Sequence, residues 1–516
     1  MATPRPGIAA PAGGPRLLVG ACRTTIDLEG VLPVEGFVTV TDPLEARVAV
    51  LDDGETRVAV GVVDLTSIST SLADELRAEI ATAARLHPDH VVIVASHTFS
   101  APHVAGGDGD RWHDAVVDAV RRSAHAAANG LHPGTLAVGR GRCDINVNRD
   151  VRTREGYWLG ADDAGPSDTS VTVAVLRDSG GTVIAILAGY AVQSSVMSDS
   201  VLPGGGRSVG GDLAGAAMRH VEGRYPGAVS LFLVGAAADQ APRYTAVSAW
   251  VDSAGVRHKG DLGEAGRILV GLQGDRLGGE IVRVAEAATP SLRRPRLGVL
   301  RDDVVVAARE APPREEIRPR LTHRWASSGE AHVPIAVVRL GDLALACLAP
   351  ELTAVSGLEV VTRSPAPVTA VVTMADGAAK YLADRLSFER VTYEAMASRF
   401  APGSAEVVTD GLVALVGRAF PARIGIKLRI SKRLHDAVFN LVISIIMSLA
   451  MSFVLTAVNV GFGPFFGLAF LKSFGISVVV SFVVTYATMP LVGSWMGRVF
   501  QVEGDVSEGS RPSTAG

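Results

Sequence analysis

Cysteines and aromatic residues are scarce in this chain. Only 5% of its residues are aromatic, and its three cysteines are Cys22, Cys143 and Cys347. Their odd number and wide separation exclude a disulfide framework, and three scattered thiols cannot hold a metal without other ligands. Because all three lie in apolar segments, we predict that they are buried and reduced.

An excess of charge is also absent. The 49 Lys and Arg residues nearly balance the 53 Asp and Glu residues, which leaves a formal net charge of −4. A nucleic-acid-binding surface usually shows as a clustered basic face, so we predict that nucleic acid is not a partner. The first residues also lack the continuous apolar core of a secretory signal, and we predict a disordered leader over residues 1–15.

Two long apolar runs, Ala437–Val458 and Ser473–Val492, contain no charged residue. Each is long enough to cross the hydrocarbon core of a bilayer, which predicts a two-helix transmembrane hairpin over residues 437–500 and a disordered tail over 501–516. Basic residues crowd the preceding segment, and we expect residues 418–436 to contact membrane lipids. They are Arg418, Arg423, Lys427, Arg429, Lys432 and Arg433. By the positive-inside rule this charge bias places the large domain and both termini in the cytoplasm, in a protein integral to the plasma membrane.

Small hydroxyl residues recur at every fourth position of both runs, as in Ser444, Ser448, Ser452 and Thr456. Such stripes let helices pack closely, either within the hairpin or in a homo-oligomer. A transport path normally needs an ionisable residue inside the membrane, and neither run contains one. This segment resembles a family of small bacterial two-helix membrane domains of uncharacterised function, with a basic lead-in and a late proline, Pro490.

Residues 16–417 show short apolar runs that alternate with longer amphipathic stretches. The segments RVAVGVVDL, SLADELRAEIATAARL and HVVIVAS follow one another as a strand, a helix and a strand would. This alternation is typical of α/β folds. We therefore predict one large soluble α/β domain with a mixed sheet.

Polar residues follow four of the predicted strands. His97, Gln193, Asp239 and Glu351 each come shortly after an apolar run. In open α/β sheets functional groups gather at these strand ends, and imidazole and carboxylate groups there could bind zinc with one position left open. The spacing has no local signature of the HExxH kind. His97 as a hydrogen-bonded core residue and Glu351 as an acid in the first turn of a helix remain open alternatives.

Several short motifs in a fixed order resemble those of the neutral/alkaline, non-lysosomal ceramidases. They are VGACRTTID, SHTFSAP, INVNRD, GYAVQSSVM, GGDLAGAAM, VGAAADQAP, LAPELT, ADGAAKYLA and TYEAMASRFAP. The resemblance spans residues 16–417. It implies a zinc amidase that cleaves the N-acyl bond of ceramide-like lipids, with two His, one Glu and one Tyr around the metal.

Carried over position by position, the resemblance assigns His97, Glu351 and Tyr381 as metal ligands. Gln193 stands where the second metal histidine is expected, and an amide oxygen is a poorer zinc ligand than imidazole. Ala241 stands at the position of the family's nucleophilic serine.

Two further departures and two retained acids accompany this set. Phe99 replaces a polar residue beside the first ligand, and Lys380 replaces a glycine before Tyr381. Asp212 and Asp239 retain acids of the family and would support the site, although Asp212 also suits a helix N-cap.

Two functions follow from this pattern. The first is a membrane-anchored, zinc-dependent amide or ester hydrolase of amphiphilic, ceramide-like substrates with a degenerate site. The second is a non-catalytic membrane scaffold that keeps the fold and binds a lipid-like small molecule or another partner. The departures at Gln193 and Ala241 favour the second function, and whether the chain is an enzyme stays open at this point.

Overall fold

The computed structural model describes residues 17–104, 106–107, 109–251, 257–290, 294–421, 432–463, 466–478 and 480. The chain divides into two compact units, Met1–Ala422 and Arg423–Gly516. The predicted leader and tail, and most of the basic segment 418–436, lie outside the described residues.

The strands of the first unit are numbered here in chain order. They are β1 Leu18–Thr25, β2 Phe37–Val40, β3 Glu45–Asp52, β4 Arg57–Val63, β5 Val91–Ala95, β6 His132–Arg142, β7 Asn146–Arg152, β8 Tyr157–Asp162, β9 Ser170–Asp178, β10 Val183–Tyr190, β11 Arg207–Val209, β12 Val229–Val234, β13 Gln240–Pro242, β14 Val247–Val251, β15 Arg257–Asp261, β16 Leu297–Ala307, β17 Glu330–Leu340, β18 Leu343–Leu348, β19 Glu351–Leu352, β20 Val368–Val372 and β21 Tyr381–Leu382.

The helices are numbered in the same way. They are α1 Thr70–Ala84, α2 Arg111–Asn129, α3 Asp212–Arg224, α4 Gly266–Ala287, α5 Ala354–Arg363, α6 Arg385–Arg390, α7 Tyr393–Ala397 and α8 Ser404–Ala419 in the first unit, and α9 Lys432–Val460 in the second.

The first unit contains a mixed eight-stranded sheet in the order β12-β10-β9-β6-β1-β3-β4-β5 and a four-stranded sheet in the order β16-β17-β18-β20. In the larger sheet β10 and β12 run parallel, as do β4 and β5, whereas the pairs between them are antiparallel. The prediction of an α/β domain with a mixed sheet is confirmed.

Alternating side chains of the large sheet face two different cores. Val48 of β3 packs with α1 and α2, whereas its neighbour Ala49 packs with residues of the small sheet such as Val338 and Leu345. Helices α3 and α4 cover β9 and β10, and α5 and α8 cover the far side of the small sheet. The apolar residues at every second strand position therefore build four layers, helix, sheet, sheet and helix.

The segment after β20 brings the two ends of the large sheet together. The Thr373 amide donates to the Val234 carbonyl of β12 at 2.8 Å, and the Ala95 amide of β5 donates to the Met374 carbonyl at 3.2 Å. Strands β5 and β12 are the two edges of the eight-stranded sheet. Residues that follow both edge strands can thus meet at one place.

The cysteine prediction is partly correct. All three cysteines are free, and Cys143 and Cys347 are buried, but Cys22 is half-buried. Cys22 lies on β1 opposite Val48, where the side chains of this strand are covered only in part.

The second unit corrects the membrane prediction. Helix α9 covers the first apolar run, and residues 466–478 are helical, but no helix within the described residues is both long and apolar enough to cross a membrane. Helix α9 begins with the charged residues Lys432, Arg433 and Asp436, and most of the second run falls outside the described residues. The transmembrane hairpin is unsupported, and the prediction of an integral plasma-membrane protein with cytoplasmic termini is wrong.

Candidate functional site

His97 lies two residues beyond the end of β5 and is buried. Its backbone φ of 59° is in the left-handed region, which few residues other than glycine adopt. Its Nδ1 atom lies 2.6 Å from the Thr66 carbonyl oxygen, so Nδ1 carries the proton and donates to that carbonyl. This bond turns Nε2 toward the site, where it lies 3.2 Å from Glu351 Oε2.

Glu351 begins the short strand β19, which pairs in parallel with β21 and places Glu351 opposite Tyr381. Its Oε2 atom accepts a 2.9 Å hydrogen bond from Gln193 Nε2 as well as facing His97. Burial alone would raise the pKa of this carboxyl, but the charges of His97 and Arg149 and its hydrogen bonds lower it overall. Glu351 is therefore an ionised carboxylate in the protein interior.

The same contact fixes the charge of His97. Burial acts to lower the pKa of the imidazole, but the Glu351 carboxylate outweighs it, and the pKa is raised above its ordinary value. His97 and Glu351 thus form a buried ion pair. A buried pair of this kind is stable only when further hydrogen bonds complete it.

Gln193 supplies one of those hydrogen bonds and is itself bonded at both ends. Its Nε2 donates to Glu351, and its Oε1 accepts a 2.8 Å bond from Arg149 Nη1. Turning the amide over would place its oxygen against the carboxylate and its NH2 group against the guanidinium. The orientation is therefore set by the neighbours, and the amide oxygen is occupied.

Arg149 on β7 is the central cation of the site. Its Nε donates to Glu394 Oε1 at 2.7 Å, and its Nη2 lies 2.6 Å from the same oxygen. Its guanidinium also lies 5.4 Å from the ring centre of Tyr381 and 5.6 Å from that of Tyr393. Neither Arg149 nor Glu394 was predicted from the sequence, although Arg149 belongs to the motif INVNRD and Glu394 to TYEAMASRFAP.

The structure places Tyr381 beside Arg149 and opposite Glu351 on the neighbouring short strand. Its neighbours are Arg149 and, with ring centres 5.8 Å apart, Tyr393. Burial raises the pKa of its hydroxyl, and although the Arg149 charge opposes this effect, the net shift is upward. The Tyr381 hydroxyl is therefore a neutral donor and acceptor in this arrangement.

Asp239 supports the site from the loop after β12. Its Oδ1 accepts a 2.8 Å bond from the Ala354 amide at the start of α5, and its Oδ2 accepts a 3.0 Å bond from Asn148 Nδ2. Burial raises the pKa of Asp239 to about 7. Asp239 thus connects helix α5, strand β7 and the end of β12.

Asp212 lies apart from the His97–Glu351 pair, and its predicted N-cap position is wrong by one residue. It is the first residue of α3, after the N-cap Gly211. Its carboxylate accepts the amides of Val196 and Met197 at 3.0 and 2.9 Å. Because it bonds to the loop after Gln193, it helps to hold that loop in place.

Two of the predicted departures are also placed by the structure. The Phe99 ring packs edge-on against the His97 ring, with centroids 4.9 Å apart. Ala241 lies on β13, paired with Val147 of β7, and its methyl group cannot attack a carbonyl. A serine at that position would have been the nucleophile expected from the resemblance.

The residues around Gln193 do not fit the zinc ion that the resemblance implies. His97 Nε2 lies 3.2 Å from Glu351 Oε2 but outside hydrogen-bond geometry, so in the neutral imidazole its lone pair would be free for a metal. The Gln193 oxygen, however, already accepts from Arg149, and its NH2 group points at Glu351. Within the described ranges no group of three or more His, Cys, Asp or Glu side chains is gathered for a metal.

Comparison with solved structures identifies the fold. The chain is similar to the crystal structure of neutral ceramidase from Pseudomonas aeruginosa, with a TM-score of 0.60 and 16% identity over 78% of this chain and 74% of that one. It is also similar to a ceramidase complexed with C2, with a TM-score of 0.61 and 16% identity over 78% and 76% of the two chains. At this identity the likeness shows a ceramidase-like fold.

Two further comparisons concern sequence. Residues 432–500 match a family model described as a domain of unknown function, DUF2798. No curated protein matches the chain in sequence.

Proposed function

We propose that the first unit is a metal-independent binding protein for an amphiphilic, ceramide-like lipid, built on a ceramidase-like fold. The observation that carries this proposal is the Gln193 side chain, bonded at one end to Glu351 and at the other to Arg149. This arrangement fills the position of a third ligand with a fixed amide. His97 and Gln193 then face the Glu351 carboxylate, and the Arg149 guanidinium lies at the other end of the Gln193 amide.

The lack of a nucleophile at position 241 supports binding without cleavage. Acyl transfer needs a nucleophile and a group that activates it, and Ala241 supplies neither. The Glu351 carboxylate beside His97 raises the pKa of its imidazole, which disfavours the neutral form that a general base needs. A ligand would then meet a preformed polar arrangement that recognises its amide and hydroxyl groups.

The ligand class follows from the fold and from the aromatic residues around Arg149. One of the similar structures is a ceramidase complexed with C2. In the present chain Tyr393 also packs edge-on against Trp158, with centroids 5.8 Å apart. A cluster of Tyr and Trp rings beside a cation suits a ligand that is apolar at one end and polar at the other.

The test is calorimetric titration of the full chain with a short-chain ceramide, before and after extraction with a metal chelator. We expect binding that survives extraction, with the amide bond of the ceramide intact after prolonged incubation. Arg149→Met should weaken binding, whereas Arg122→Met on the exposed face of α2 should not. Binding that disappears on extraction, or cleavage of the amide, would contradict the proposal.

A second candidate is a zinc-dependent amide or ester hydrolase of the same lipids. It is favoured by His97 Nε2, which is oriented by the Thr66 carbonyl and lacks a partner in good geometry. Gln193 would have to release Arg149 before its oxygen could become a ligand. Release of fatty acid that depends on added zinc and disappears in His97→Ala would select this candidate.

A further inference from the structure

Two buried carboxyl groups face each other beside Arg149. Asp150 lies on β7 and Glu394 on α7, close enough for the charges of the two carboxyl groups to interact. Glu394 is fully buried, and Asp150 is 6% exposed. Neither residue belongs to the set of predicted metal ligands.

One oxygen of each carboxyl group lacks a donor. Asp150 Oδ1 and Glu394 Oε2 are both buried with no hydrogen-bond donor among the described residues. Ionised carboxylates only accept hydrogen bonds, so two of them cannot bond to each other. A single proton placed between them would satisfy both oxygens at once.

We propose that Asp150 and Glu394 share one proton, and that this pair is a pH-sensitive element that holds helix α7 against strand β7. With one proton the pair carries a single negative charge, which the Arg149 guanidinium balances at 2.6 Å from Glu394. Without it, two like charges would face each other in the interior, an arrangement that proteins avoid by keeping one group neutral.

The surrounding groups favour the protonated pair. Arg149 is the cation in contact with it, and Asp239 faces it from the loop after β12, with Asp384 beside Asp239. Burial first, and then Glu394 and Asp239, raise the pKa of Asp150, and Arg149 opposes them only in part. From α6, Arg390 is directed toward the ring of Tyr157 on β8, at 5.1 Å.

Loss of the shared proton has a defined structural consequence. Helix α7 carries Tyr393 and Glu394, and both contact Arg149. Repulsion between the two carboxylates would push α7 away from β7 and remove these contacts. Arg149 would then be free to move, and Gln193 would lose the donor that fixes its orientation.

The experiment is urea unfolding of the full chain between about pH 5 and pH 9, with Asp150→Asn as an isosteric mimic of the protonated acid. The folded protein keeps a proton that the unfolded chain releases above the ordinary carboxyl pKa, so wild-type stability should fall as the pH rises. Asp150→Asn should match wild type at low pH and exceed it increasingly at high pH. If the free energies of unfolding of Asp150→Asn and wild type differ by the same amount at every pH, or not at all, the proposal is overturned.

A matched control and a second readout keep the test decisive. Asp118→Asn removes an exposed acid that pairs with Arg122, and its profile should run parallel to wild type. If Asp150→Asn does not fold, the proposal is tested instead by hydrogen exchange of the backbone amides of residues 393–397 in the wild type. Corrected for intrinsic rates, exchange should accelerate above neutral pH, and unchanged protection would overturn the proposal.

Discussion

At the scale of single residues, the chemistry of the site depends on Gln193 and Arg149. The sequence alone predicts that Gln193 replaces a metal-binding histidine, because the short motif GYAVQSSVM is enough to identify its position. It could not predict what replaces the ligand, because Arg149 is 44 residues away from Gln193 and Glu394 is 245 residues away from Arg149. Such contacts arise only when the four layers are assembled.

Arg149→Met is expected to be strongly destabilising. The substitution keeps an unbranched apolar stem but removes the guanidinium, which leaves the buried Glu394 carboxylate without its cation. Breaking a buried pair in this way costs about 3–5 kcal/mol. Urea unfolding measures the loss, and Arg122→Met, which breaks only an exposed pair with Asp118, should cost less than about 1 kcal/mol. Equal effects of the two substitutions would contradict the central role of Arg149.

His97 should stay protonated to a higher pH than an ordinary histidine. Its folded-state pKa is raised by Glu351 against the effect of burial, so the pair stabilises the fold below the unfolded pKa and loses this contribution as the pH rises through the folded pKa. Nuclear magnetic resonance of the imidazole can follow the titration. Glu351→Gln should lower the midpoint, and an unchanged midpoint would show that the ion pair does not set it.

At the scale of elements, the strand ends were predictable and the closing segment was not. The four apolar runs before His97, Gln193, Asp239 and Glu351 are β5, β10, β12 and β18 in the structure. Their sequences are continuous buried strands, which is the pattern expected between two covered faces. The segment after β20 bonds to both β5 and β12 through backbone atoms and through the side chains of Thr373 and Asp376. The sequence gives no signal for these contacts, because the partners lie far apart in the chain.

Helix α5 depends on a close approach at Gly357. A Cβ atom added there would overlap the Ala236 side chain beyond β12, whereas a Cβ at Gly223 of α3 meets nothing within 4 Å. Gly357→Ala should therefore displace α5 and destabilise the protein. Gly223→Ala should stabilise it by about 1 kcal/mol or less, because alanine favours the helix. The midpoint of thermal unfolding should fall for Gly357→Ala and should not fall for Gly223→Ala. A higher midpoint for Gly357→Ala would show that α5 can shift without cost.

At the scale of the whole molecule, the mixed α/β prediction is confirmed and the membrane prediction is wrong. The first unit combines two sheets and two helical layers in a ceramidase-like fold. The α/β prediction was based on the periodicity of apolar residues, and this periodicity reflects which side chains are buried in the folded protein. The apolar runs after residue 436 gave a signal for membrane spans that the described helices of the second unit do not support.

The measurement that tests the account most directly is the zinc content of the purified full chain, by elemental mass spectrometry after incubation with excess zinc. We expect wild type to retain far less than one zinc per chain and Gln193→His to retain about one, because imidazole would replace the fixed amide beside His97 and Glu351. His97→Ala in the Gln193→His background should lose that zinc. Stoichiometric zinc in the wild type, removed by Glu351→Ala, would contradict the account and select the hydrolase.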